Sequence, residues 1–325
     1  MRVKTIRSNP SLLWGAAAKD RSKVAVWFQA FRFHYVPPSF LPAMICSIIA
    51  WTNGAVADLG AFLLVVAGVT INHAGLNMLD DVCDYLHSVD DRVDGEKNPY
   101  TGGSGVLTSG LLSTRQMIGA ASLCFGITAG IGFYLAFAKG WVVLALGLFG
   151  LFCSVFYTLP PIKFGYRGLG ELGLLVNFGP VIGLGAYYVQ SGGLSPEPLA
   201  ISLVLGFMMW SMIVINEIPD YESDRAGGKM NLVARFGKKT GIALYIAGLA
   251  CAYGILVASV LFRIAPAAAL LGLVSLPLAL KSIRILRKNY HDSIAMTPAN
   301  LLMIRVHLVT GLALIAGYAL QFMIL

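Results

Sequence analysis

Long apolar segments recur along almost the whole of this 325-residue chain. A hydrocarbon core about 30 Å thick needs roughly 20 apolar residues in a helix that crosses it. Helices satisfy every backbone polar group within the segment itself, which lipid requires. The pattern therefore predicts an all-α fold, a polytopic membrane bundle of about nine transmembrane helices. The predicted spans are residues 37–57, 59–79, 116–138, 140–159, 169–189, 198–217, 240–262, 264–281 and 299–324.

The composition agrees with this prediction. Hydrophobic residues make up 57% of the chain and charged residues only 12%, whereas a soluble domain has about 25% charged residues. We expect no cleaved signal peptide, because no short apolar region with a small-residue cleavage site precedes the first span. The cysteines are scattered and form no Cys-x-x-Cys pair, which argues against a disulfide framework or a zinc site. They are Cys46, Cys83, Cys124, Cys153 and Cys251.

The distribution of basic residues predicts the orientation in the membrane. The loops on one side carry most of the lysines and arginines, while the other side has only Lys139 and Arg263. Cytoplasmic loops are rich in Lys and Arg. We therefore expect a multi-pass protein of the cell membrane, with the N-terminus in the cytoplasm and the C-terminus outside. Both acidic clusters described below then lie on the cytoplasmic side.

The chain divides into an arm and one membrane domain. Residues 1–23 are polar and basic and predict a cytoplasmic N-terminal arm, and residues 24–325 predict a single transmembrane domain. Residues 24–35 mix aromatic and basic side chains, as an interfacial helix does. The net charge of +8 reflects this topology and attraction to the lipid bilayer. We expect no nucleic-acid partner, and nothing indicates an obligate protein partner.

Two acidic clusters contain eleven of the sixteen acidic residues, seven in the first and four in the second. They follow the second and sixth predicted spans, four helices apart. This spacing predicts two pseudo-repeated four-helix units plus one further helix. Carboxylates at this density repel one another unless a cation binds them. The first cluster occupies residues 77–96, and the second occupies residues 216–224.

Helical spacing places the polar members of each cluster on one face. His73, Asn77, Asp80 and Asp84 share a face, with Asp81 at its edge. An ionised Asp within a span costs roughly 2.5–3.5 kcal/mol, so the aspartates directly after an apolar segment are candidates for function. Hard oxygen ligands favour Mg²⁺ together with phosphate oxygens. In the second cluster the shared face is formed by Asn216, Asp220 and Asp224.

The same residues resemble a known family. Asp-Asp-Val-Cys-Asp84-Tyr with Ser-Val-Asp90, and Asn216-Glu-Ile-Pro-Asp220-Tyr-Glu-Ser-Asp224-Arg-Ala-Gly-Gly-Lys229, resemble the two aspartate-rich motifs of the UbiA superfamily of intramembrane prenyltransferases. A second set of segments resembles the branch that prenylates 1,4-dihydroxy-2-naphthoate in menaquinone biosynthesis. These are Asn98-Pro-Tyr-Thr-Gly-Gly-Ser-Gly-Val-Leu-Thr-Ser-Gly110, Tyr157-Thr-Leu-Pro-Pro-Ile-Lys163 and Tyr166-Arg-Gly-Leu-Gly-Glu171.

The resemblance implies Mg²⁺-dependent transfer of a polyprenyl group from a polyprenyl diphosphate to an aromatic acceptor. It implies catalytic roles for Asp80, Asp84, Asp220 and Asp224, with Tyr157 facing an allylic cation. The implied substrate contacts are Arg32, Asn77, Lys163, Arg167, Arg225 and Lys229. The implied metal ligands are Asp80, Asp81, Asp84, Asp90, Asn216, Asp220 and Asp224.

Some alternatives stay open from the sequence. The first motif has two registers, Asp80 with Asp84 and Asp90, or Asn77 with Asp81, and the first matches the family pattern over a longer stretch. Prenyl transfer to 4-hydroxybenzoate, geranylgeranylglyceryl phosphate or haem is an alternative reaction. A transporter is the alternative outside enzymes, although its polar residues are expected near the middle of the membrane. Weaker candidates to face the cation are Phe178, Tyr187, Tyr188 and Trp210.

Overall fold

The computed structural model describes residues 22–87 and 98–324, and every regular element in these residues is helical. Short 3₁₀ turns and one π-helical turn interrupt or connect the α-helices. The α-helices are α1 (Lys23–Ala30), α2 (Pro37–Thr52), α3 (Leu59–Leu86), α4 (Thr114–Lys139), α5 (Trp141–Phe156), α6 (Gly170–Val176), α7 (Ile182–Ser191), α8 (Pro196–Glu217), α9 (Tyr221–Gly227), α10 (Leu232–Phe236), α11 (Lys238–Leu261), α12 (Leu276–Asn289) and α13 (Thr297–Ile324).

Seven helical runs within residues 22–87 and 98–324 are long and apolar enough to cross a membrane. The segment Lys23–Tyr35, which contains α1 and a 3₁₀ turn, is bent by 56° relative to α2. If this segment and α2 form one span together, the count becomes eight. The all-α prediction is confirmed for the described residues, but this count falls short of nine. The predicted spans 37–57 and 140–159 correspond to α2 and α5, which have 16 residues each. At 1.5 Å per residue such helices are about 24 Å long, less than the hydrocarbon thickness.

Two predicted spans are interrupted helices. Residues 169–189 form α6, a π-helical turn over Asn177–Val181 that contains Pro180, and α7. Proline removes a backbone donor and clashes with the preceding turn, which explains the change of hydrogen-bond pattern. Pro266 similarly precedes a 3₁₀ run, Ala267–Ser275, which leads directly into α12. Both runs still meet the length and composition of a span.

Helix α8 is the centre of the bundle. Of its most apolar stretch, 67% is buried, compared with 11% in α4, which faces outward. Helix α8 packs against α11, α6, α13 and α2. The backbone of α8 lies close to the end of α6 and to the π-helical turn, because Gly206 of α8 and Gly179 of the turn have no side chains. A Cβ on Gly206 would lie 2.6 Å from the Leu175 carbonyl oxygen, and one on Gly179 would lie 2.7 Å from the Ser202 carbonyl oxygen.

Candidate active site

A polar cleft with about 830 Å³ of empty space lies where α3 and α8 end. Asp80 and Asp84 lie in the last two turns of α3. Asn216 lies in the last turn of α8. Asp220 is the N-cap residue of α9, and Asp224 lies within that helix. The cleft is lined by Arg32, Tyr35, Asp80, Asp84, Asn98, Tyr100, Thr101, Gly102, Tyr157, Ile213, Asn216, Glu217, Pro219, Asp220, Ser223, Asp224, Lys229, Asn231 and Ser293.

The Lys229 ammonium lies between the carboxylates of the first motif. Its Nζ is 2.8 Å from Asp84 Oδ2 and 3.7 Å from Asp80 Oδ1. Burial lowers the pKa of Lys229, but attraction to Asp80, Asp84 and Asp224 outweighs burial, and the pKa lies well above its usual value. Lys229 therefore remains charged. The fold holds a cation against two carboxylates that come from a distant part of the sequence.

Two neutral groups donate hydrogen bonds to the second motif. Asp220 Oδ2 accepts a hydrogen bond from the Gly102 backbone N–H at 3.0 Å, and Asp224 Oδ2 accepts one from the Asn231 amide at 2.7 Å. Burial raises the pKa of Asp224 well above its usual value, and the attraction of Lys229 does not cancel this effect. The charged form of Asp224 thus lacks full compensation from the protein and would gain from a further cation in the cleft.

Asp81 does not line the cleft and has other partners than Asp80 and Asp84. Its carboxylate accepts hydrogen bonds from Arg32 and from the Ser104 backbone N–H. Arg32 also donates to the Gly102 carbonyl at 3.1 Å, and its own backbone is left-handed, with φ of 51°. Non-glycine residues adopt this conformation only where the surroundings enforce it. Asp81 and Arg32 thus fasten the loop that covers one side of the cleft.

Tyr157 lies in the cleft directly after α5. Two nearby glycines, Gly165 and Gly170, make room for its ring: a Cβ on Gly165 would lie 2.9 Å from the ring, and one on Gly170 would lie 3.2 Å from it. Burial raises the pKa of Tyr157 well above its usual value, so the phenol stays neutral. An aromatic ring held in this way offers its face to a cation.

Several predicted site residues do not line the cleft. Asn77 donates to the Phe31 carbonyl, Lys163 Nζ lies 2.8 Å from His87 Nε2, Arg167 donates to the Pro161 carbonyl, and Arg225 donates to the Tyr221 hydroxyl. Asp90 falls outside the described residues. The structure therefore brings together Asp80, Asp84, Asn216, Asp220, Asp224, Tyr157, Arg32 and Lys229.

A network of polar side chains at the cleft was missed from the sequence. Asn300 donates to Asn216 Oδ1 at 2.8 Å, and Asn98 donates to Asn300 Oδ1 at 3.1 Å. Asn216 in turn donates to the Tyr35 hydroxyl, which donates to the Tyr100 carbonyl. Asn98 and Tyr100 belong to a segment that resembles the family, and this resemblance could have identified them as residues near the site. Asn300 is an isolated amide at the start of α13 and gave no such signal.

The carboxylate and amide oxygens in the cleft are of the type that binds Mg²⁺. Within residues 22–87 and 98–324, no three His, Cys, Asp or Glu side chains come close enough to hold a metal by themselves. Mg²⁺ does not need such a set, since it keeps waters and binds one or two carboxylates plus phosphate oxygens of a substrate. Asp80 Oδ1 is buried without a hydrogen-bond partner. Lys229 Nζ lies 3.7 Å from this oxygen and does not form a hydrogen bond to it, so the oxygen keeps its lone pairs for a metal ion.

The sequence matches the model of the UbiA prenyltransferase family over residues 39–304. The 2-carboxy-1,4-naphthoquinone phytyltransferase of Synechocystis is 27% identical over 297 residues, which are 90% of this chain and 92% of that protein. The 1,4-dihydroxy-2-naphthoate octaprenyltransferase of Escherichia coli is 26% identical over 310 residues, 92% of this chain and 97% of that protein.

Among solved structures, a UbiA homolog from Archaeoglobus fulgidus bound to GPP and Mg²⁺ has the same fold. The TM-score is 0.64 at 15% sequence identity, and the match covers 92% of this chain and 99% of that chain. A UbiA homolog from Aeropyrum pernix, solved in the apo form, gives a TM-score of 0.63 at 18% identity over 86% and 97% of the two chains. The helical arrangement is therefore shared almost throughout.

Proposed function

This chain belongs to the UbiA prenyltransferase family and is a prenyltransferase, and from that premise we propose a specific reaction. The enzyme transfers a polyprenyl group from a polyprenyl diphosphate to 1,4-dihydroxy-2-naphthoate, in menaquinone biosynthesis, with Mg²⁺ as cofactor. The observation that carries the proposal is the cleft in which both acidic motifs meet Lys229 and Tyr157. The relatives named for naphthoate substrates support the choice of acceptor.

The donor diphosphate is proposed to lie between the two motifs. Asp80 and Asp84 on one side, and Asn216, Asp220 and Asp224 on the other, would hold Mg²⁺. When bound, the metal supplies Lewis-acid stabilisation of the leaving diphosphate. Lys229 lies in the same cleft as a fixed positive charge and is proposed to contact the diphosphate as well.

Cleavage of the bond between the allylic carbon and the diphosphate oxygen leaves an allylic cation and free diphosphate. Tyr157 is proposed to stabilise that cation with the face of its ring, because its phenol is neutral and its position is enforced by two glycines. The acceptor carbon that carries the carboxylate then attacks the cation. CO₂ leaves from that carbon, and its bonding electron pair restores the aromatic ring.

Arg32 is proposed to orient the acceptor. It lines the cleft and already pairs with one carboxylate, Asp81. A guanidinium binds planar carboxylates in a fixed geometry, and it has donors for more than one partner. Through Asp81, the loop from Asn98 to Ser104 is tied to the same arginine. Acceptor binding and loop position are thus linked through one side chain.

The apolar tail of the donor needs space within the bundle. A second cavity, with about 1020 Å³ of empty space and an almost entirely apolar lining, lies among α3, α4, α5 and α7. Its walls include Val65, Leu135, Val143, Phe178 and Val189. We propose that the tail occupies this cavity, where the cost of exposing it to water is avoided.

The proposed topology has nine spans, counting α2 and α5 as short spans, arranged as two four-helix units plus one helix. The basic arm of residues 1–23 and both acidic motifs lie on the cytoplasmic side, within one membrane domain of residues 24–325. The bias of Lys and Arg between the two sides supports this orientation. Cysteine accessibility from either side of sealed vesicles would test it.

The reaction is tested by a turnover assay on the purified protein. Geranylgeranyl diphosphate and Mg²⁺ are supplied with, in parallel, 1,4-dihydroxy-2-naphthoate, 4-hydroxybenzoate or geranylgeranylglyceryl phosphate, and product masses are measured. We expect a naphthoate adduct that lacks CO₂, and no product in EDTA. An adduct with another acceptor would overturn the proposed acceptor and retain prenyl transfer, whereas diphosphate binding without any product would contradict the reaction.

A further inference from the structure

We propose that Tyr166 is a positioning residue for the first acidic motif. Its hydroxyl fixes the Asp84 carboxylate so that the second carboxylate oxygen faces the cation position in the cleft. Tyr166 does not line the cleft itself, so it acts through Asp84. This inference rests on the proposed function and deepens it, because it names the residue that orients a metal ligand.

The two oxygens of Asp84 have separate partners. Oδ1 accepts a hydrogen bond from the Tyr166 hydroxyl at 2.5 Å, and Oδ2 accepts one from Lys229 at 2.8 Å. Hydrogen bonds from a hydroxyl to a carboxylate are short and about twice as strong as bonds between neutral groups. With Oδ1 held by Tyr166, rotation of the carboxylate is restricted. Oδ2 then stays directed at whatever cation occupies the cleft.

The Tyr166 ring is itself fixed from several sides. The Nζ atoms of Lys163 and Lys229 lie 5.0 and 5.4 Å from its centroid, within the range of a cation–π interaction. Lys163 lies 2.8 Å from His87 Nε2, and His87 Nδ1 lies 2.7 Å from the Cys83 carbonyl oxygen. The support for Tyr166 thus extends back to the end of α3.

The backbone of Tyr166 is fixed as well. Its carbonyl oxygen accepts a hydrogen bond from the Met230 N–H at 3.1 Å, one residue after Lys229. A single residue therefore links Asp84, Lys163 and the segment that carries Lys229. Hydrogen bonds to ligating carboxylates orient metal ligands, and their loss typically lowers metal affinity or activity about 10- to 100-fold. Space filling alone would require none of these polar contacts.

The chain offers a matched control at the other end of α8. Tyr318 is buried, and its hydroxyl donates to Glu197 Oε1 at 2.9 Å. Glu197 lies in the first turn of α8, whereas the cleft lies at the last turn. A helix of 22 residues places these two ends about 33 Å apart. Tyr318→Phe therefore removes the same kind of hydrogen bond far from the cleft.

The test is a titration of Mn²⁺ followed by electron paramagnetic resonance, on full-length protein with a saturating, unreactive thiolodiphosphate analogue of the donor. We expect Tyr166→Phe to raise the Mn²⁺ dissociation constant about tenfold or more, and Tyr318→Phe to leave it unchanged. The Mg²⁺ concentration for half-maximal turnover should rise in parallel, with a smaller change in kcat at saturating Mg²⁺. Thermal unfolding of both variants checks that each is folded.

A tyrosine analogue with an amino group in place of the hydroxyl, inserted at position 166, should restore much of the affinity because it again donates to Asp84. Wild-type affinity in Tyr166→Phe would overturn the assignment of Tyr166 alone. An equal loss in Tyr166→Phe and Tyr318→Phe would also overturn it, since the effect would then be one of general stability. Absence of Mn²⁺ binding by the wild-type protein would contradict both this inference and the proposed function.

Discussion

The two acidic motifs meet in one cleft, but the protein compensates their charge in different ways. In the first motif, Lys229 lies against Asp80 and Asp84, and Arg32 lies against Asp81. In the second motif, the hydrogen bonds to the carboxylates include two from neutral amides, the Gly102 N–H and the Asn231 side chain. The first motif thus has hydrogen bonds from charged side chains at Asp81 and Asp84, whereas Asp80 Oδ1 in that motif has no hydrogen-bond partner.

This difference separates two tasks. The first motif contributes a rigid arrangement, because Asp81 and Asp84 each accept a hydrogen bond from a charged side chain in another part of the chain. The second motif contributes Asp224, whose ionised form is disfavoured by burial and only partly stabilised by Lys229, so that a bound cation would favour its ionisation. A metal–diphosphate complex should therefore gain fixed geometry from Asp84 in the first motif and should relieve the unfavourable burial of ionised Asp224 in the second. Three measurements test this division, and a fourth tests the ring that lies beside both motifs.

The largest expected effect is on turnover. Asp220→Asn should lower kcat/KM about a thousandfold, because a metal's stabilisation of transition-state charge is worth several kcal/mol. Asp81→Asn should cost far less, since Asp81 does not line the cleft and an amide can still accept from Ser104. Product formation measured by mass spectrometry distinguishes the two. Equal losses accompanied by an equal rise in the Mg²⁺ concentration for half-maximal turnover would mean that Asp81 also binds the metal and that the register Asn77 with Asp81 is correct.

The second effect is on stability without metal. Lys229→Met leaves two buried carboxylates without their cation, and breaking such a pair typically destabilises by about 3–5 kcal/mol. Asp224→Asn should change stability much less, because the Asn231 contact is retained and an uncompensated charge is removed. Chemical unfolding in EDTA measures both. If Asp224→Asn were the more damaging change, the contrast between the motifs would be reversed.

A third test concerns the ring in the cleft. Tyr157→Ala should lower kcat about thirtyfold, since a desolvated cation–π contact is worth about 2 kcal/mol. Tyr157→Phe should retain most activity because the phenol is neutral and the ring face is kept. Donor binding, measured with the unreactive analogue, should change little in either variant. A loss of binding with unchanged kcat would place Tyr157 in the wall of the tail cavity instead.

The smallest effect is on pH dependence. Burial raises the pKa of Asp224 in the folded state above the ordinary value of 3.8, so its contribution to stability is complete below about pH 4. That contribution is lost as the pH rises through the folded-state pKa, by at most about 1.4 kcal/mol per pH unit. In EDTA, Asp224→Asn should remove this decline from a plot of unfolding free energy against pH. An unchanged plot would show that Asp224 is fully compensated.

A helical period determines which residues share a face, and Asp80 and Asp84, which share one on α3, both line the cleft. Asn216, Asp220 and Asp224 line it too, but α8 ends at Glu217 and α9 begins at Tyr221, so a single helical face does not bring them together. The assignment of the basic residues was weaker. Arg167 and Arg225 bind groups near them in sequence, the Pro161 carbonyl and the Tyr221 hydroxyl, and do not line the cleft.

By itself, the sequence determined the helical class, the membrane environment and the two clusters of carboxylates, because these follow from apolar length and from a local period. Tertiary structure decided which of the neighbouring Asp80 and Asp81 faces the cleft, and it placed Lys229 against Asp84, 145 residues away. A helical period does not specify which face of one helix meets another. That choice depends on packing and charge pairing across the whole bundle.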